Sequence, residues 1–464
     1  MCGVFGIYAP DRDVARLTYF GLYALQHRGQ ESAGIAVADG RRITAVRELG
    51  LVSQVFDEAT LQTLQGIAAI GHARYSTTGS SQWQNAQPVV RHRAGRTLAL
   101  GHNGNLTNTT ELRESLAADG ISFETTSDTE VIAALICEHA GTLLEGVQVA
   151  LSRITGAFAA VVIDETQLIG FRDPDGIRPL VLGDLAGQPV LASESCALDI
   201  VGATLVREIA PGEIVVCDAD GVRFIPMTPG TEHQQALCVF EFIYFARPDT
   251  KLDGVHLHGA RERMGERLAE EAPVDADIVI PIPDSGAPAA QGYARRSGIP
   301  YVDGLVKNRY VGRTFIQPDQ ALRELGLKLK FNPMPDVLAG RRVVVVDDSI
   351  VRGTTTRKIV QMLRQAGATE VHLRISSPPV ISPCFYGIDM ATKEQLIAAQ
   401  LSVDEIAAHL DADSLAYLSL DGLEAATGHG DERHCRACLT GRYPTVVPTS
   451  ADKGRFEATR LPVV

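Results

Sequence analysis

Short apolar runs broken by glycines dominate the first half of the chain. CGVFGIYA, ESAGIAVAD, RRITAVRELG, GIAAIGHARYS and TLALGHNGNL come first, then AFAAVVID, TQLIGFRD, PLVLGD, PVLASES and EIVVCD. Runs of this length between turn-forming residues predict strands. Two stretches carry helical periodicity instead: TNTTELRESLAAD, whose leading threonines suit an N-cap, and SDTEVIAALICEHAG. Many strands with few helices predict stacked sheets with helices outside. Near residue 226 the texture changes, and PMTPGTEHQQ reads as a polar linker. Beyond it, the strands ADIVIPIP, RRVVVVDDSI and EVHLRISSP alternate with the helices GAPAAQGYARRSG and RGTTTRKIVQMLRQAG, the signature of a parallel sheet with crossover helices. The polar, basic stretch from Arg313 to Asp336 has little pattern and reads as a lid.

Length then sets the domain count. At 464 residues the chain exceeds one ordinary core, so two domains are expected. The patterning puts them at 2–230 and 231–464. A net charge of −13 argues against a general nucleic-acid or membrane-surface role. No basic stretch followed by an apolar core opens the chain and no run is long enough to span a bilayer, so a cytoplasmic protein is expected. In a reducing compartment its eight cysteines signify metal binding, catalysis or packing rather than disulfides.

The most specific string is VVVVDDSIVRGTT. Four valines make a strand buried on both faces, and Asp347 and Asp348 then sit at its carboxyl end, where open α/β sheets place ligands. Gly353, Thr354 and Thr355 begin a helix whose free N–H groups and hydroxyls form a phosphate cradle. Acids beside such a cradle repel phosphate unless they hold Mg²⁺ or bond sugar hydroxyls. One ligand satisfies all of these groups: 5-phosphoribosyl-1-diphosphate (PRPP), and the segment resembles a type I phosphoribosyltransferase. A solvated acidic turn is the alternative for a lone pair of aspartates. In IPIPDSGAPAA, Asp284 and Ser285 precede a helix, and Ser285 offers a further oxygen toward Mg²⁺. Lys307, Arg309 and Arg313 in KNRYVGRTF read as diphosphate contacts, or else as a solvated basic face.

Cys2 follows the initiator methionine. If Met1 is removed, the thiol sits beside its own α-amine, whose pKa near ~8 lets it act as general base. A thiolate so formed attacks an amide carbonyl, and the oxyanion needs donors: the Asn103 side chain and the Gly104 N–H of GHNGN supply them. An amino-acid substrate needs a cation for its carboxylate, Arg74, and an acid for its ammonium, Asp128. Each has a bland alternative. HNG suits a hairpin turn, and SDTE is a capping box of Ser127 with Glu130.

Together, MCGVFGI, LQHRGQESAGI, GHARYSTTG, GHNGNL and TTSDTE closely resemble the glutaminase half of the N-terminal-nucleophile (Ntn) glutamine amidotransferases. With YFARPDT, KNRYVGRTFI and SPCFYGID in the second half, the pairing resembles the amidophosphoribosyltransferase family from Cys2 to about Tyr443. The resemblance implies a four-layer α/β/β/α Ntn-hydrolase sandwich followed by a type I phosphoribosyltransferase domain. It implies Cys2 as the nucleophile of glutamine hydrolysis, glutamine held by Arg74 and Asp128, and ammonia channelled past Tyr244 under a loop within 313–337 to C1 of PRPP. The implied products are 5-phosphoribosylamine, diphosphate and glutamate, at the start of purine nucleotide synthesis. A homo-oligomer, often a tetramer, inhibited by purine nucleotides is implied as well.

Cys435 and Cys438 form HCRAC, which alone is open between metal, redox dithiol and accident. One branch of the family carries a [4Fe–4S] cluster on four thiolates, and the matching positions here are Cys238, Cys384, Cys435 and Cys438. Relatives with the cluster commonly have a short propeptide, where this chain has Met1 alone. Cys137, Cys196 and Cys217 read as buried packing. Two other functions share parts of this pattern: another enzyme with the same glutaminase half, against which DDSIVRGTT argues, and a PRPP-sensing regulator, which needs no ammonia source and so no set of Cys2, Arg74, Asn103, Gly104 and Asp128.

Overall fold

The structure is a computed structural model that describes residues 1–75, 82–93, 95–231, 233–308, 329–390, 392–429 and 433–448. Arg309, Arg313 and most of the expected lid lie outside the described residues.

Strand β1 (Gly3–Tyr8) shows why the first half reads as continuous apolar runs. All six residues are buried, because both faces of the strand are covered. Phe5 and Ile7 enter a core under helices, while Val4 and Tyr8 enter a second core between two sheets. β1 lies inside a seven-stranded sheet, between the strands Ala68–Arg74 (β4) and Gln188–Ala192. The second sheet has six strands, among them β6 (Arg96–Leu106) and β7 (Gly156–Ile163). In β7, Ala159, Val161 and Ile163 face the first sheet, and Phe158, Ala160 and Val162 face the outer helices. The helices α1 (Val14–Ala24) and Ser195–Val201 cover the seven-stranded sheet; Thr109–Ala118, Asp128–Glu138 and Leu143–Leu151 cover the other. The layers are α/β/β/α.

The second half has a four-stranded parallel sheet among the described residues, in the order Ile278–Pro281 (β17), Arg342–Asp347 (β20), Glu370–Ile375 and Ser414–Tyr417. β20 is the valine run, with Val343 and Val345 in one core and Val344 and Val346 in another. The helix Leu257–Glu271 (α8) lies against Ala287–Ser297 (α9) so closely that a Cβ on Gly265 would come 1.8 Å from the Ala289 carbonyl. Among the described residues no helix is long and apolar enough to cross a membrane.

Both bland alternatives fail. The HNG tripeptide is not a turn: β6 runs straight through it, with Asn103 opposite Ala159 and Gly104 opposite Phe158. Nor does the Ser127–Glu130 capping box form. Ser127 accepts from the Thr129 N–H, but Glu130 accepts from the N–H groups of Glu124 and Thr125, so it braces the loop before the helix.

Candidate active site

Cys2 is held from three directions. Its backbone N–H donates to Asn103 Oδ1 at 3.1 Å, and its carbonyl accepts from Arg28 Nε at 2.9 Å. Its sulfur lies 3.5 Å from both the backbone nitrogen and the carbonyl oxygen of Tyr75, just past the end of β4. The other end of the Asn103 amide, Nδ2, is buried and has no hydrogen-bond partner among the described residues. An unsatisfied buried donor is costly, so one beside a thiol marks a place where an acceptor is to arrive. Gly104 follows with φ +151, and a Cβ there would sit 2.0 Å from the Ala157 carbonyl, so no other residue fits.

Arg74 and Asp128 are both buried nearby. Arg74, at the end of β4, pairs with Glu31, which sequence reasoning had not singled out. Asp128 begins its helix. Oδ2 accepts from the Leu106 N–H at 3.0 Å, and Oδ1 lies 3.7 Å from His102 Nδ1. Burial by itself would raise this carboxyl, but His102 and the Leu106 and Thr129 N–H groups hold it below the usual range. Asn103, Gly104 and Asp128 are thus gathered around one strand, β6, with Cys2 bonded to Asn103.

The acidic pair lies elsewhere, at the carboxyl end of β20. Asp348 is buried and accepts from Ser349 Oγ at 2.6 Å and from Ser285. Burial raises the carboxyls of both Asp347 and Asp348; at Asp347 the neighbouring Asp348 carboxylate adds to the rise and Lys330 opposes it, and at Asp348 the hydroxyls of Ser285 and Ser349 and the Arg261 charge oppose it. Gly353, at φ +76, starts the helix Thr354–Gln365 and gives it no capping side chain. The amides of Thr354 and Thr355 therefore open the helix beside the acids. Lys307 pairs with Asp284, an acid of the neighbouring loop. Tyr244 sits in a π-helical turn, Glu241–Phe245, with its ring 5.2 Å from that of Phe245.

The four tail-linked cysteines come together. The strands Leu237–Cys238 and His434–Cys435 pair in parallel with Cys238 opposite Cys435. The Cys438 carbonyl accepts from the N–H groups of Ile381 and Ser382, and the Tyr386 N–H points at Cys384 Sγ, 3.4 Å away. All four thiols are buried, free and packed in one core. Burial, with the neighbouring thiols adding to it, pushes Cys435 and Cys438 well up and Cys238 to about 11. Among the described residues no three His, Cys, Asp or Glu side chains converge tightly enough for a single metal ion. Cys137, Cys196 and Cys217 are buried.

Sequence reasoning missed a set of buried charges. Arg28, Arg178, Arg261, Glu194 and Glu241 are each at most 3% exposed, and they interlock around the carbonyl of Cys2 and the π-helical turn. LQHRGQES contained Arg28, but nothing in a sequence separates a buried arginine from a solvated one.

Comparison with known proteins matches each half of the chain to a domain family. The glutamine amidotransferase domain family matches residues 72–199, and the phosphoribosyl transferase domain family matches residues 256–376. The amidophosphoribosyltransferase of Synechocystis sp. is 54% identical over 462 residues, 98% of this chain and 93% of that protein. That of Bacillus subtilis is 49% identical, over 96% of this chain and 94% of that protein. A solved structure of the B. subtilis glutamine PRPP amidotransferase, complexed with ADP and GMP, superposes with a TM-score of 0.90 at 48% identity, covering 97% of this chain and 98% of that one. Full-length identity at this level, with both half-sites on one chain, makes this protein a member of the amidophosphoribosyltransferase family.

Proposed function

We propose how this chain carries out its family's reaction, in which glutamine, PRPP and water give 5-phospho-β-D-ribosylamine, diphosphate and glutamate, the first committed step of purine nucleotide synthesis. The boundary between the two catalytic halves falls near residue 230. Met1 is removed, and Cys2 becomes the amino terminus. Its thiol gives its proton to its own α-amine and attacks the glutamine amide carbon. Arg74 takes the substrate carboxylate and Asp128 its ammonium. Asn103 Nδ2 and the Gly104 N–H take the oxyanion; collapse expels ammonia and leaves a glutamyl thioester, which water hydrolyses to glutamate. The observation that carries this reading is the Asn103 amide, whose oxygen is bonded to the Cys2 N–H and whose nitrogen is buried and has no partner among the described residues.

In the second half, Asp347 and Asp348 take the ribose hydroxyls, and the helix start at Gly353, Thr354 and Thr355 takes the 5-phosphate. Lys307 leaves Asp284 for the diphosphate. Two carboxylates with Ser285 nearby suit Mg²⁺, which keeps several waters and shares its remaining positions with substrate phosphates, so a closed cage of protein ligands is not required. When bound, it neutralises the leaving diphosphate. Positioning of C1 against ammonia arriving past Tyr244 accounts for the remaining catalysis. Cys238, Cys384, Cys435 and Cys438 suit a [4Fe–4S] cluster, which takes four thiolates, because all four are buried, free and packed in one core. A cytoplasmic homo-oligomer, a tetramer, regulated by purine nucleotides completes the reading; the ADP and GMP of the B. subtilis complex support the last point.

The deciding experiment separates the halves. Cys2→Ala should abolish glutamine-dependent synthesis and keep ammonia-dependent synthesis, while Asp347→Asn or Asp348→Asn should cripple both. Diphosphate release measured with each nitrogen donor reads the result. Glutamine use retained by Cys2→Ala, or parental ammonia turnover in an aspartate variant, overturns the corresponding assignment.

A further inference from the structure

Met1, the residue that has to leave, is buried. It is 2% exposed and belongs to the core that holds Phe240, Phe242 and Tyr386. That core is built by the second half of the chain. Among the described residues, only Met1, Ala157 and Ile177 enter it from the first half, and its other buried members run from Leu237 to Leu439. Met1 Sδ meets Nη1 of Arg178, which is itself 0% exposed. The rest of that guanidinium is turned onto the second half: Nε donates to the Tyr386 carbonyl at 2.9 Å, and Nη2 donates to the same oxygen. Beyond the Met1–Cys2 bond, the Cys2 N–H donates to Asn103 Oδ1 at 3.1 Å and the Cys2 carbonyl accepts from Arg28 Nε at 2.9 Å. Gly3 is already in the ladder of β1, opposite Ala73. The bond is thus pinned on both sides. An outside enzyme reaches a bond in such a place only when the elements around it open.

We propose that folding of the second half sets a deadline for removal of Met1, and that a chain which misses it is locked in a folded form without glutaminase activity. This rests on the reading of Cys2 as an amino-terminal nucleophile. The step is hydrolysis of the Met1–Cys2 peptide bond by a methionine aminopeptidase. Water supplies the hydroxyl of the released methionine and the hydrogen of the new Cys2 amine. Such an enzyme needs the first residues extended and accessible. On a growing chain the first half emerges first, and Met1 stays uncovered until the segment around Tyr386 has been made. At about 5–20 residues per second, that interval is roughly 20–80 s. Once the core has closed over Met1, the contacts that shape the cysteine site also protect the bond that keeps it inactive. Asp347 and Asp348 lie at the end of β20, away from this bond, so the locked chain keeps ammonia-dependent synthesis.

The test uses cells that make the full chain. A reversible methionine aminopeptidase inhibitor is present during synthesis and is then washed out with translation blocked. Intact mass and the two nitrogen-donor assays follow the protein. Chains made under the inhibitor should keep Met1 after washout, use ammonia at the parental rate and not use glutamine. Chains made after washout, without the block, should lose Met1. In a second measurement, purified methionine aminopeptidase should release methionine from the folded chain roughly 100-fold more slowly than from the octapeptide MCGVFGIY, because only the rare open population is cut. Loss of Met1 with gain of glutamine use while translation is blocked, or release from the folded chain at the octapeptide's rate, overturns the proposal. Failure of the underlying reading looks different: chains that retain Met1 would use glutamine.

Discussion

Asn103 does two jobs with one amide. Its oxygen accepts from the Cys2 N–H, the group proposed as the catalytic α-amine, and its nitrogen is buried with no partner among the described residues. Asn103→Ala removes both. Glutamine-dependent kcat should fall about 10²–10³-fold, the usual cost of one oxyanion donor, with ammonia-dependent synthesis unchanged. Parallel assays with the two nitrogen donors check it, and an equal loss in both would point to misfolding instead. His72, two residues before Arg74, makes a pH prediction. Its Nε2 lies 3.0 Å from the His102 carbonyl, and burial, with Arg74 and His102 adding to it, pushes the imidazole down to about 3. An unfolded chain protonates this ring near pH ~6.5 and the folded chain does not, so the stability it contributes is complete above that value and is lost as pH falls toward 3. The loss runs at about 1.4 kcal/mol per pH unit. His72→Gln, which keeps a donor toward His102, should lose roughly 2 kcal/mol less than the parent between pH ~6.5 and ~5, read from urea midpoints at constant m. The residue scale is also where the sequence was most and least legible. Cys2, Asn103 and Asp347 stand in strings whose chemistry few other arrangements explain. Glu31, Arg178 and Glu241 carry no such signal, because burial of a charge depends on partners far along the chain.

At the scale of elements, the segment around Gly387 presses on β6 at Gly104. A Cβ on Gly387 would lie 3.0 Å from the Gly104 carbonyl, and its φ of +105 excludes most other residues besides. Asn105 Nδ2 donates to the Phe385 carbonyl at 2.9 Å, and Arg178 to that of Tyr386, so the 385–387 segment is fastened to the glutaminase half on both sides of the contact. β6 cannot retreat, because Gly104 is already packed on the Ala157 carbonyl of β7. Gly387→Ala should therefore cost about 1–3 kcal/mol in strain and lower glutamine hydrolysis more than ammonia-dependent synthesis. Thermal midpoints and the two assays would show it; a variant with parental midpoint and glutaminase rate would mean that the segment yields freely. The central strands were legible because a strand buried on both faces must be apolar throughout, as β1, β7 and β20 are. The edge strand Gly221–Pro226 was not, since it is mostly exposed and carries no such constraint. α1 was missed too, its pattern interrupted by Gly21, which a Cβ would drive to 2.3 Å from the Phe5 ring. α8 hides behind its arginines and glutamates, one of which, Arg261, points inward.

For the whole molecule, what joins the tail to the rest decides how it fails. The segment His434–Cys438 is pinned to Leu237–Cys238 by a two-residue parallel pair and to residues 381–382 by two hydrogen bonds on one carbonyl. Backbone contacts so few hold a chain end poorly, since each is worth only ~1 kcal/mol net. Four thiolates on a shared [4Fe–4S] cluster would close long loops through a single point, and the binding energy would become folding energy. Protein purified without air should therefore be brown and contain about four iron and four sulfide per chain. Oxygen should bleach it and expose the tail to protease before the sheets unfold, so that cleavage near residue 433 precedes loss of strand circular dichroism. Cys435→Ser combined with Cys438→Ser should reproduce that state without oxygen. Zinc, with thiolates at ~2.3 Å, would instead give a colourless protein indifferent to air. A colourless, zinc-bearing protein from an anaerobic preparation would remove the cluster. A doubly substituted chain with parental stability would remove any structural role for the four thiols, and the burial of Cys238, Cys384, Cys435 and Cys438 in one core would then be packing alone.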